Sequence, residues 1–482
     1  MKSKFEHIKQ EDRKTILILC DDIRMHSGIA TMAREIVLKS AHHFNWVNLG
    51  AAMKHPETGK LIDISDDVNK IQEIDDAFVK VIPNDGYGNA EQVRSLIKQF
   101  NPDAIFIFTD PRYWTWLFEV EREIRQEMPI MWLNIWDEYP APMYNNLYYN
   151  SVDLLMAISK QTKNINELVL GEEAKNKVLR YVPHGIDDKV FRPILETGRM
   201  YKDLLKARED MFEGKDIEYV VFFNSRNIQR KRPSDLILAY KIFCDNIGKE
   251  AAKKCALVMK TEVSSNHGTD LRAVKEAITD SEYVNIFFIQ DRLTPAQMNF
   301  LYNVADVTVL PSSNEGWGLS LTESMLAGTM IIANVTGGMQ DQMRFVDDKG
   351  EWYTPSADIP SNHRGTYKEH GEWARPVFPT NISIAGSPST PYIYDDRCQA
   401  EDVAEQIGNV YAIPKEVRDE KGKLGRKWAM SEEAQMTADR MADNVIDCMN
   451  ESFDKFVPRP AYDIFLAEVK DTTKVKHKLT GY

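Results

Sequence analysis

The sequence has few cysteines, and its apolar stretches are short. Its five cysteines are scattered over 482 residues, so they fit neither a disulfide framework nor the close spacing of a metal site. No stretch approaches the roughly 18 consecutive apolar residues of a membrane helix. The polar residues 1–6 also lack the apolar core of a signal peptide. These absences predict a cytoplasmic protein without a membrane span, a disulfide framework or a metal site.

Two common phosphate-binding motifs are absent as well. Residues 15–20 predict a buried strand, but the turn that follows has a single glycine, Gly28, where the pattern G-x-G-x-x-G has three. The P-loop pattern is missing from the chain. The sequence therefore indicates neither a dinucleotide fingerprint nor a P-loop nucleotidase.

What the chain does contain is two series of short apolar strands that alternate with helical segments. This alternation predicts parallel βαβ units, and 482 residues exceed what one hydrophobic core usually serves. We therefore predict an α/β fold with two parallel-sheet domains. The predicted strands of the first domain are residues 15–20, 104–108, 129–135 and 153–159, and those of the second are 219–224, 255–259, 284–289, 307–310 and 330–334.

The predicted boundaries divide the chain into three regions. Residues 1–195 form the first domain and residues 196–445 the second. Residues 446–482 form a C-terminal helix that packs back toward the first domain, followed by a loose tail. Within the second domain, residues 339–391 are rich in proline and aromatic side chains, which predicts a long ordered insertion.

The most informative segment spans residues 314–323. It follows an apolar run that predicts a buried parallel strand, and it continues through a glycine turn into a helix. Such a turn presents N–H groups to anionic or hydroxyl-rich ligands. Glu315 and Glu323 can both face a ligand at the carboxyl end of the sheet. On their own, the two glutamates also fit a capped helix with a surface carboxylate.

A basic loop follows the first strand of the second domain. Arg226 and Lys231 are five positions apart, and a guanidinium beside an ammonium suits a diphosphate. A solvated basic loop is the alternative. The net charge of −13 argues against a general polyanion binder, but it leaves room for a local basic groove.

Together these segments resemble the retaining glycosyltransferases of family four, whose GT-B fold has two Rossmann-like domains facing across a cleft. The resemblance covers residues 15–340 and 392–456. The matching motifs are the E-x7-E motif at Glu315 and Glu323, the donor-phosphate pair Arg226 and Lys231, the interdomain loop at residues 182–187, and the glycine pair at residues 336–341, with Asp341 where glutamate is usual.

The resemblance implies a nucleotide-diphosphate sugar donor in the cleft, which we expect to be a UDP-sugar, and neither a further cofactor nor a metal. Arg226 and Lys231 would neutralise the departing diphosphate. Glu323 would accept hydrogen bonds from the ribose hydroxyls, and Glu315 would contact the transferred sugar. Gly28 would let the backbone approach the phosphate. The N–H groups expected to bind sugar hydroxyls or phosphate are those around Trp317, Gly318, Leu319 and Ser320.

One position departs from the family pattern. The family often has a histidine after the strand that ends here at Ile135, whereas residues 136–140 contain none. We predict that Asp137 takes part of that role, near the acceptor or the donor sugar; a loop aspartate that caps a turn is the alternative. His184 is interpreted as a structural residue of the interdomain loop.

The acceptor is the open question. Residues 362–364, 370–373 and 375–376 of the insertion predict either an acceptor surface or a flap packed on the second domain. The insertion is similar to glycosyltransferases encoded by tailed bacteriophages, some of which modify hydroxymethylated cytosine in DNA, chemistry that needs an extruded base. That implies a host-cytoplasmic enzyme with DNA as acceptor. A polysaccharide, lipid or small-molecule acceptor, a nucleotide-sugar epimerase, and a nucleotide-sugar-binding protein without turnover remain alternatives.

Overall fold

The structure, a computed structural model, describes residues 3–356, 358 and 361–462. The predicted loose tail at residues 470–482 lies outside the described residues. The described chain forms two parallel sheets covered by helices, with a small antiparallel hairpin between them.

The first domain contains an eight-stranded sheet. Its strands are β1 (Lys14–Asp21), β2 (Phe44–Ala52), β3 (Ile62–Asp63), β4 (Val79–Asp85), β5 (Ala104–Phe108), β6 (Ile130–Asn134), β7 (Leu154–Ala157) and β8 (Val178–Tyr181). They lie in the order β3-β4-β2-β1-β5-β6-β7-β8, and all pairs are parallel except β3 with β4. The central strands are buried on both faces, which is why they read as continuous apolar runs.

Seven helices belong to this domain: α1 (Gly28–Ser40), α2 (Ser65–Gln72), α3 (Ala90–Phe100), α4 (Thr115–Glu119), α5 (Glu121–Ile124), α6 (Asn146–Asn150) and α7 (Lys160–Leu170). Serine starts two of them in the same way. The Ser27 hydroxyl accepts from Ala30 N at the start of α1, and the Ser159 hydroxyl accepts from Thr162 N at the start of α7.

The second domain contains a six-stranded, fully parallel sheet. Its strands are β9 (Tyr219–Asn224), β10 (Cys255–Lys260), β11 (Asn285–Ile289), β12 (Val307–Leu310), β13 (Met330–Asn334) and β14 (Ala374–Val377), in the order β11-β10-β9-β12-β13-β14. Its helices are α8 (Tyr201–Phe212), α9 (Pro233–Ile247), α10 (Lys249–Ala252), α11 (Leu271–Ile278), α12 (Pro295–Val304), α13 (Leu319–Ala327), α14 (Met339–Met343), α15 (Ala400–Tyr411) and α16 (Lys415–Ala429). The short 3-10 helices of the described chain are Gln10–Asp12, Pro111–Trp114, Met143–Asn145, Gly171–Asn176, Gln229–Lys231 and His363–Gly365.

The described residues of the 339–391 segment belong to the second domain. Its strand β14 pairs with β13 as the sixth strand of the sheet. The hairpin of β15 (Asn381–Ser387) and β16 (Thr390–Arg397) then extends to the first domain, where Tyr394 N donates to Tyr139 O at 2.7 Å. The segment therefore completes one domain and contacts the other.

The chain crosses between the domains twice, and the two crossings pair. Ile186 N donates to Met436 O at 3.1 Å, and Ala438 N donates to Ile186 O at 3.0 Å. A Cβ on Gly185 would lie 2.1 Å from Thr437 O, so only glycine allows this approach. The helix α17 (Ala438–Lys455) then packs against α1, β7 and β8 of the first domain. This helix begins ahead of residue 446, where the sequence analysis put the start of the third region.

Candidate active site

Glu315 lies at the carboxyl end of β12, in contact with two basic side chains. Its carboxylate is 6% exposed, accepts from Arg230 Nη1 at 2.9 Å, and forms a short ion pair with the Lys231 ammonium. Arg230 and Lys231 belong to the loop after β9, the neighbouring strand of the sheet. The parallel sheet thus brings residues about 85 positions apart in sequence to one edge.

The charged groups of this cluster shift one another's pKa values. Burial raises the pKa of Glu315, but the charges of Lys231 and Arg230 and their hydrogen bonds outweigh it and hold the pKa at about 2. Burial and the charge of Arg230 lower the pKa of Lys231, against the attraction of Glu315. Glu315 is therefore ionised, and its buried charge is offset by Lys231 and Arg230.

Asp137 faces this cluster from the first domain. Its carboxylate lies 3.7 Å from Arg230 Nη1, and a Cβ on Gly316 would lie 2.9 Å from Asp137 Oδ1. Burial raises the pKa of Asp137, while the charge of Arg230 opposes the shift. The guanidinium of Arg230 therefore lies between a carboxylate of each domain. Arg230 was not among the site residues predicted from the sequence.

The start of α13 faces the start of α1 across the cleft. Gly318 precedes α13 with φ of 95°, a conformation that favours glycine. Within the described residues, no side chain caps this N-terminus, so its first N–H groups are open to a ligand. A Cβ on Gly28, the first residue of α1, would lie 3.4 Å from Leu319 Cδ1.

The residues of this turn differ in what they can offer. The Trp317 side chain is 3% exposed and donates from Nε1 to Thr322 Oγ1 at 3.1 Å, so it packs in the core. Ser320 is also buried. Only their backbone groups are available for the predicted ligand contacts.

Glu323 lies in a less polar environment than Glu315. It accepts from Tyr302 Oη at 2.5 Å and from Asn224 Nδ2 at 3.4 Å. Burial raises the pKa of Glu323 to about 7, although these two hydrogen bonds oppose the shift. The sequence analysis did not find Tyr302 or Asn224, because they come from α12 and the end of β9.

Arg226 is separate from the buried cluster. Its side chain is exposed, and among the described residues it forms no ion pair. Lys231 contacts Glu315, whereas Arg226 does not. The predicted pair therefore consists of one buried and one exposed cation.

His184 lies in the contact between the domains, beside two aromatic rings. Its ring packs edge-on against Phe108, with centroids 5.7 Å apart, and against Trp317 at 6.3 Å. Burial lowers the pKa of His184 to about 3, so the imidazole is neutral at physiological pH. These contacts agree with a structural role for this residue.

The aromatic and amide residues of the 339–391 segment lie in the core of the second domain, which agrees with the alternative of a packed flap and not with an acceptor surface at these residues. His363 is fully buried against Phe345 and Phe378, and Trp373 packs on Trp428. Asn362 is 2% exposed. Packing of the aromatic side chains against each other accounts for their number in this segment.

The basic residues of the same segment do reach the surface. Lys368, His370 and Arg375 line a cavity of about 490 Å³, and Arg364 and Lys368 line a neighbouring one of about 410 Å³. Among the described residues, no carboxylate lines either cavity. Both cavities are lined by side chains of the second domain and lie apart from Glu315.

The described residues contain neither a candidate metal site nor a candidate membrane-spanning helix. No group of three or more His, Cys, Asp or Glu side chains there is placed to hold a metal ion. No helix in the described part of the chain is both long and apolar enough to cross a membrane.

Part of the chain is similar to proteins of known class. Residues 207–359 match the model of the family described as Glycosyl transferases group 1. The chain is 26% identical over 196 residues to a D-inositol 3-phosphate glycosyltransferase of Corynebacterium jeikeium, covering 39% of this chain and 43% of that protein. It is 24% identical over 194 residues to a mannosylfructose-phosphate synthase of Agrobacterium fabrum, covering 40% of each. The matches span less than half the length of these curated relatives.

The solved structures extend the likeness to the whole fold. A sucrose-phosphate synthase from Thermosynechococcus elongatus has a TM-score of 0.62 and 15% identity, with 92% of this chain and 100% of that chain covered. Anabaena HepE, solved in complex with UDP and glucose, has a TM-score of 0.59 and 12% identity, covering 91% and 100%. These neighbours have the GT-B fold, and the predicted fold is thereby confirmed.

Proposed function

We propose that this protein is a retaining glycosyltransferase that moves a sugar from a nucleotide-diphosphate donor, a UDP-sugar, to an acceptor hydroxyl. The observation that carries the proposal is the contact of Glu315 with Arg230 and Lys231 at the edge of a parallel sheet, opposite Asp137. The family match of the second domain and the bound UDP and glucose of a structural neighbour support it.

The transfer forms a bond between the acceptor oxygen and the sugar carbon and breaks the bond between that carbon and the diphosphate oxygen. The electron pair of the broken bond leaves with the diphosphate, which also takes the proton of the acceptor hydroxyl. Arg226 and Lys231 stabilise the charge that develops there. The proposal puts the phosphates at the open N–H groups at the start of α13, opposite Gly28 at the start of α1. Glu323 accepts hydrogen bonds from the ribose.

The sugar then lies near Glu315 and Asp137. Glu315 remains ionised because its pKa is about 2, so it faces the positive character that develops on the sugar as a carboxylate. Asp137 contacts the acceptor or the sugar from the first domain. Arg230 holds both carboxylates at this point of the cleft.

A panel of nucleotide sugars, followed by release of nucleoside diphosphate, tests this function. We expect release with at least one donor, and we expect Glu315→Ala to reduce it by about a hundredfold or more, since a preorganised charge at the reacting sugar is lost. Glu276→Gln, an exposed carboxylate of α11, is the control and should match the wild type.

Two outcomes would contradict parts of the proposal. Silence across the whole panel, with a ligand still bound, would indicate a nucleotide-sugar-binding protein. If Asp137→Ala kept the full transfer rate while Glu315→Ala lost about a hundredfold, the role of Asp137 would be wrong.

The same release assay, with different acceptors added, can distinguish between acceptors. The names of the relatives indicate small phosphorylated acceptors such as inositol 3-phosphate. The basic cavities around Lys368 and Arg375 favour a second candidate, hydroxymethylated cytosine in phage DNA, since phosphate contacts supply much of DNA affinity. Stimulation of release by hydroxymethylated duplex DNA, reduced by Lys368→Gln, would support DNA. Absence of DNA binding at low salt would remove it.

A further inference from the structure

A buried polar cluster crosses from one domain to the other beside the candidate active site. Glu138, in the loop after β6, is 0% exposed, and its Oε2 accepts from Gly337 N at 3.1 Å. The same oxygen makes a short contact with the Thr336 hydroxyl. That hydroxyl also lies 2.9 Å from Oδ2 of Asp396 on β16, another side chain that is 0% exposed. One hydroxyl thus contacts two buried carboxyl groups.

The hydrogen count of this cluster requires an additional proton. A threonine hydroxyl has one hydrogen, so Thr336 can donate to only one of its two carboxyl partners. The second oxygen–oxygen contact is a hydrogen bond only if a carboxyl group carries a proton. Two ionised carboxylates here would leave that contact repulsive in a buried site.

The other partners of the two carboxyl groups are neutral. Glu138 Oε1 accepts from Tyr139 N at 2.8 Å and from Gln161 Nε2 at 2.5 Å. Asp396 Oδ2 accepts from Ser361 Oγ at 2.6 Å. Among the described residues, neither carboxyl group has an ion pair with a lysine or an arginine. A proton is therefore the only positive charge that this cluster can use.

We propose that Glu138 and Asp396 share one proton across Thr336, and that this contact positions the Asp137 loop against the turns at Gly316 and Gly337. The positioning role rests on the function proposed above, whereas the shared proton does not. Glu138 and Asp396 are positioning residues, because they act through their neighbours.

The geometry around Asp137 shows how the contact acts. A Cβ on Gly337 would lie 3.0 Å from Asp137 O, and a Cβ on Gly316 would lie 2.8 Å from Ile135 O. The loop of the first domain therefore rests on two backbone turns of the second. The bond from Gly337 N to Glu138 fastens the same turn to the residue next to Asp137.

The shared proton makes closure of the cleft depend on pH. Burial and the charge of Asp396 raise the pKa of Glu138 well above its usual range, and burial raises the pKa of Asp396. When the two domains are in contact, the pair therefore keeps a proton that the carboxyl groups would release near pH 4 if the domains were apart. Closure is fully favoured below that pH and weakens as the pH rises through the raised pKa of the pair.

Other titratable and charged groups also face the cluster, and several of them form ion pairs with each other. The titratable and charged residues on the elements packed around it are Asp137, Arg230, Lys231 and Glu315 in the cleft, Tyr139 in the same loop, Lys160, Lys163 and Glu167 on α7, Asp341 on α14, Tyr353, His363 and Arg364 in the segment before β14, and Arg232 with Asp395 beside β16.

Small-angle X-ray scattering of the wild type and of Asp396→Asn tests the proposal without any substrate. An asparagine nitrogen in the place of Oδ2 can donate to the Thr336 and Ser361 hydroxyls, so that Thr336 donates to Glu138 and the additional proton is no longer required. We expect the radius of gyration of the wild type to increase between pH 5 and pH 9. Asp396→Asn should stay compact to a pH at least about one unit higher, because the second charge is gone.

The neighbouring Asp395→Asn is the matched control. Asp395 has Arg232 as its counterion, so this variant loses an ion pair but keeps the shared proton. Its compaction should follow the wild-type pH dependence. A wild-type radius that is constant over this range, or identical pH profiles for the wild type and Asp396→Asn, would overturn the proposal.

A second variant covers the case in which Asp396→Asn does not fold. Thr336→Val removes the bridging hydroxyl with little change of side-chain shape. We therefore expect an expanded radius of gyration at pH 5, where the wild type is compact, and a compact variant would contradict the proposed hydrogen bonds through Thr336.

Nucleoside diphosphate release across the same pH range then tests positioning. The fall in release at alkaline pH should occur at a higher pH in Asp396→Asn than in the wild type. A shift in scattering without any release would retain the shared proton and reject the proposed function.

Discussion

Two glutamates eight positions apart differ because their surroundings differ. Both Glu315 and Glu323 are affected by burial, which raises a carboxyl pKa. Glu315 has Lys231 and Arg230 as partners, and these charges reverse the effect. Glu323 has the neutral donors Tyr302 and Asn224, which do not. One residue is therefore a permanent anion, and the other titrates near neutral pH.

This difference predicts how donor affinity depends on pH. An ionised Glu323 is the better acceptor for ribose hydroxyls, so affinity for the nucleotide sugar should rise as the pH passes about 7. The ionised fraction grows from about a tenth to about nine tenths between pH 6 and pH 8, so affinity should improve by up to about tenfold. Calorimetric titration with the intact nucleotide sugar measures this, because its diphosphate diester does not titrate in that range.

Glu323→Gln is the variant for comparison. It has no titratable group at this position, so its affinity should be lower at pH 8 and nearly constant with pH. An equal pH dependence in the wild type and the variant would place the titrating group elsewhere.

At the scale of elements, the apolar pattern of the sequence failed to predict strands that contain polar residues. The strand β2 contains Asn45 and Asn48, which interrupt its apolar pattern, and it was not predicted. Asn48 is buried but accepts from Ile23 N at 3.2 Å and donates to Ile18 O at 3.3 Å. Its polar groups are satisfied by the neighbouring strand and loop, which only the assembled sheet can provide.

Helix α16 depends on glycine where it crosses α13. A Cβ on Gly422 would lie 1.8 Å from Gly328 O, whereas a Cβ on Gly408 of α15 would meet only Phe243 Cδ2 at 3.9 Å. Alanine favours a helix by about 1 kcal/mol over glycine at both positions. At Gly422 the clash outweighs this gain, since overpacking costs roughly 1–3 kcal/mol.

We therefore expect opposite effects of one substitution at two helical sites. Gly422→Ala should lower the melting temperature, and Gly408→Ala should leave it unchanged or raise it. Calorimetric or circular-dichroism melting measures both. A Gly422→Ala variant as stable as Gly408→Ala would show that α16 and α13 are not in contact in solution.

At the scale of the whole molecule, the two domains approach each other closely at Gly316. A Cβ on Gly316 would lie 2.8 Å from Ile135 O and 2.9 Å from Asp137 Oδ1, both in the first domain. Glycine at this position allows the two sides of the cleft to approach. The closed arrangement of the site therefore depends on a residue without a side chain.

The methyl group added by Gly316→Ala should push the two domains apart. We expect a larger radius of gyration in scattering and a kcat lower by about tenfold or more, since small misplacements of reacting groups are costly. Binding of the nucleotide should weaken less than kcat falls, because Glu323, Arg226 and Lys231 belong to the second domain and only the contact at Gly28 comes from the first. An unchanged radius together with unchanged kcat would contradict this account, and Gly408→Ala serves as the control.

The sequence by itself determined the fold and one side of the site. Apolar runs alternating with helical segments identified two parallel-sheet domains, because strands covered on both faces must be apolar throughout. Glu315, Glu323, Arg226 and Lys231 were expected at one edge of a parallel sheet, because residues at strand ends meet there, and their resemblance to family motifs implied a glycosyltransferase.

Only the tertiary structure decided which of these residues touch. It brought Arg230 between Glu315 and Asp137, left Arg226 exposed, and joined Glu138, Thr336 and Asp396 from three distant segments. It also placed His363 and Trp373 in the core, away from any acceptor. Such contacts depend on how two domains and a hairpin pack, and no spacing within one segment encodes distances between segments.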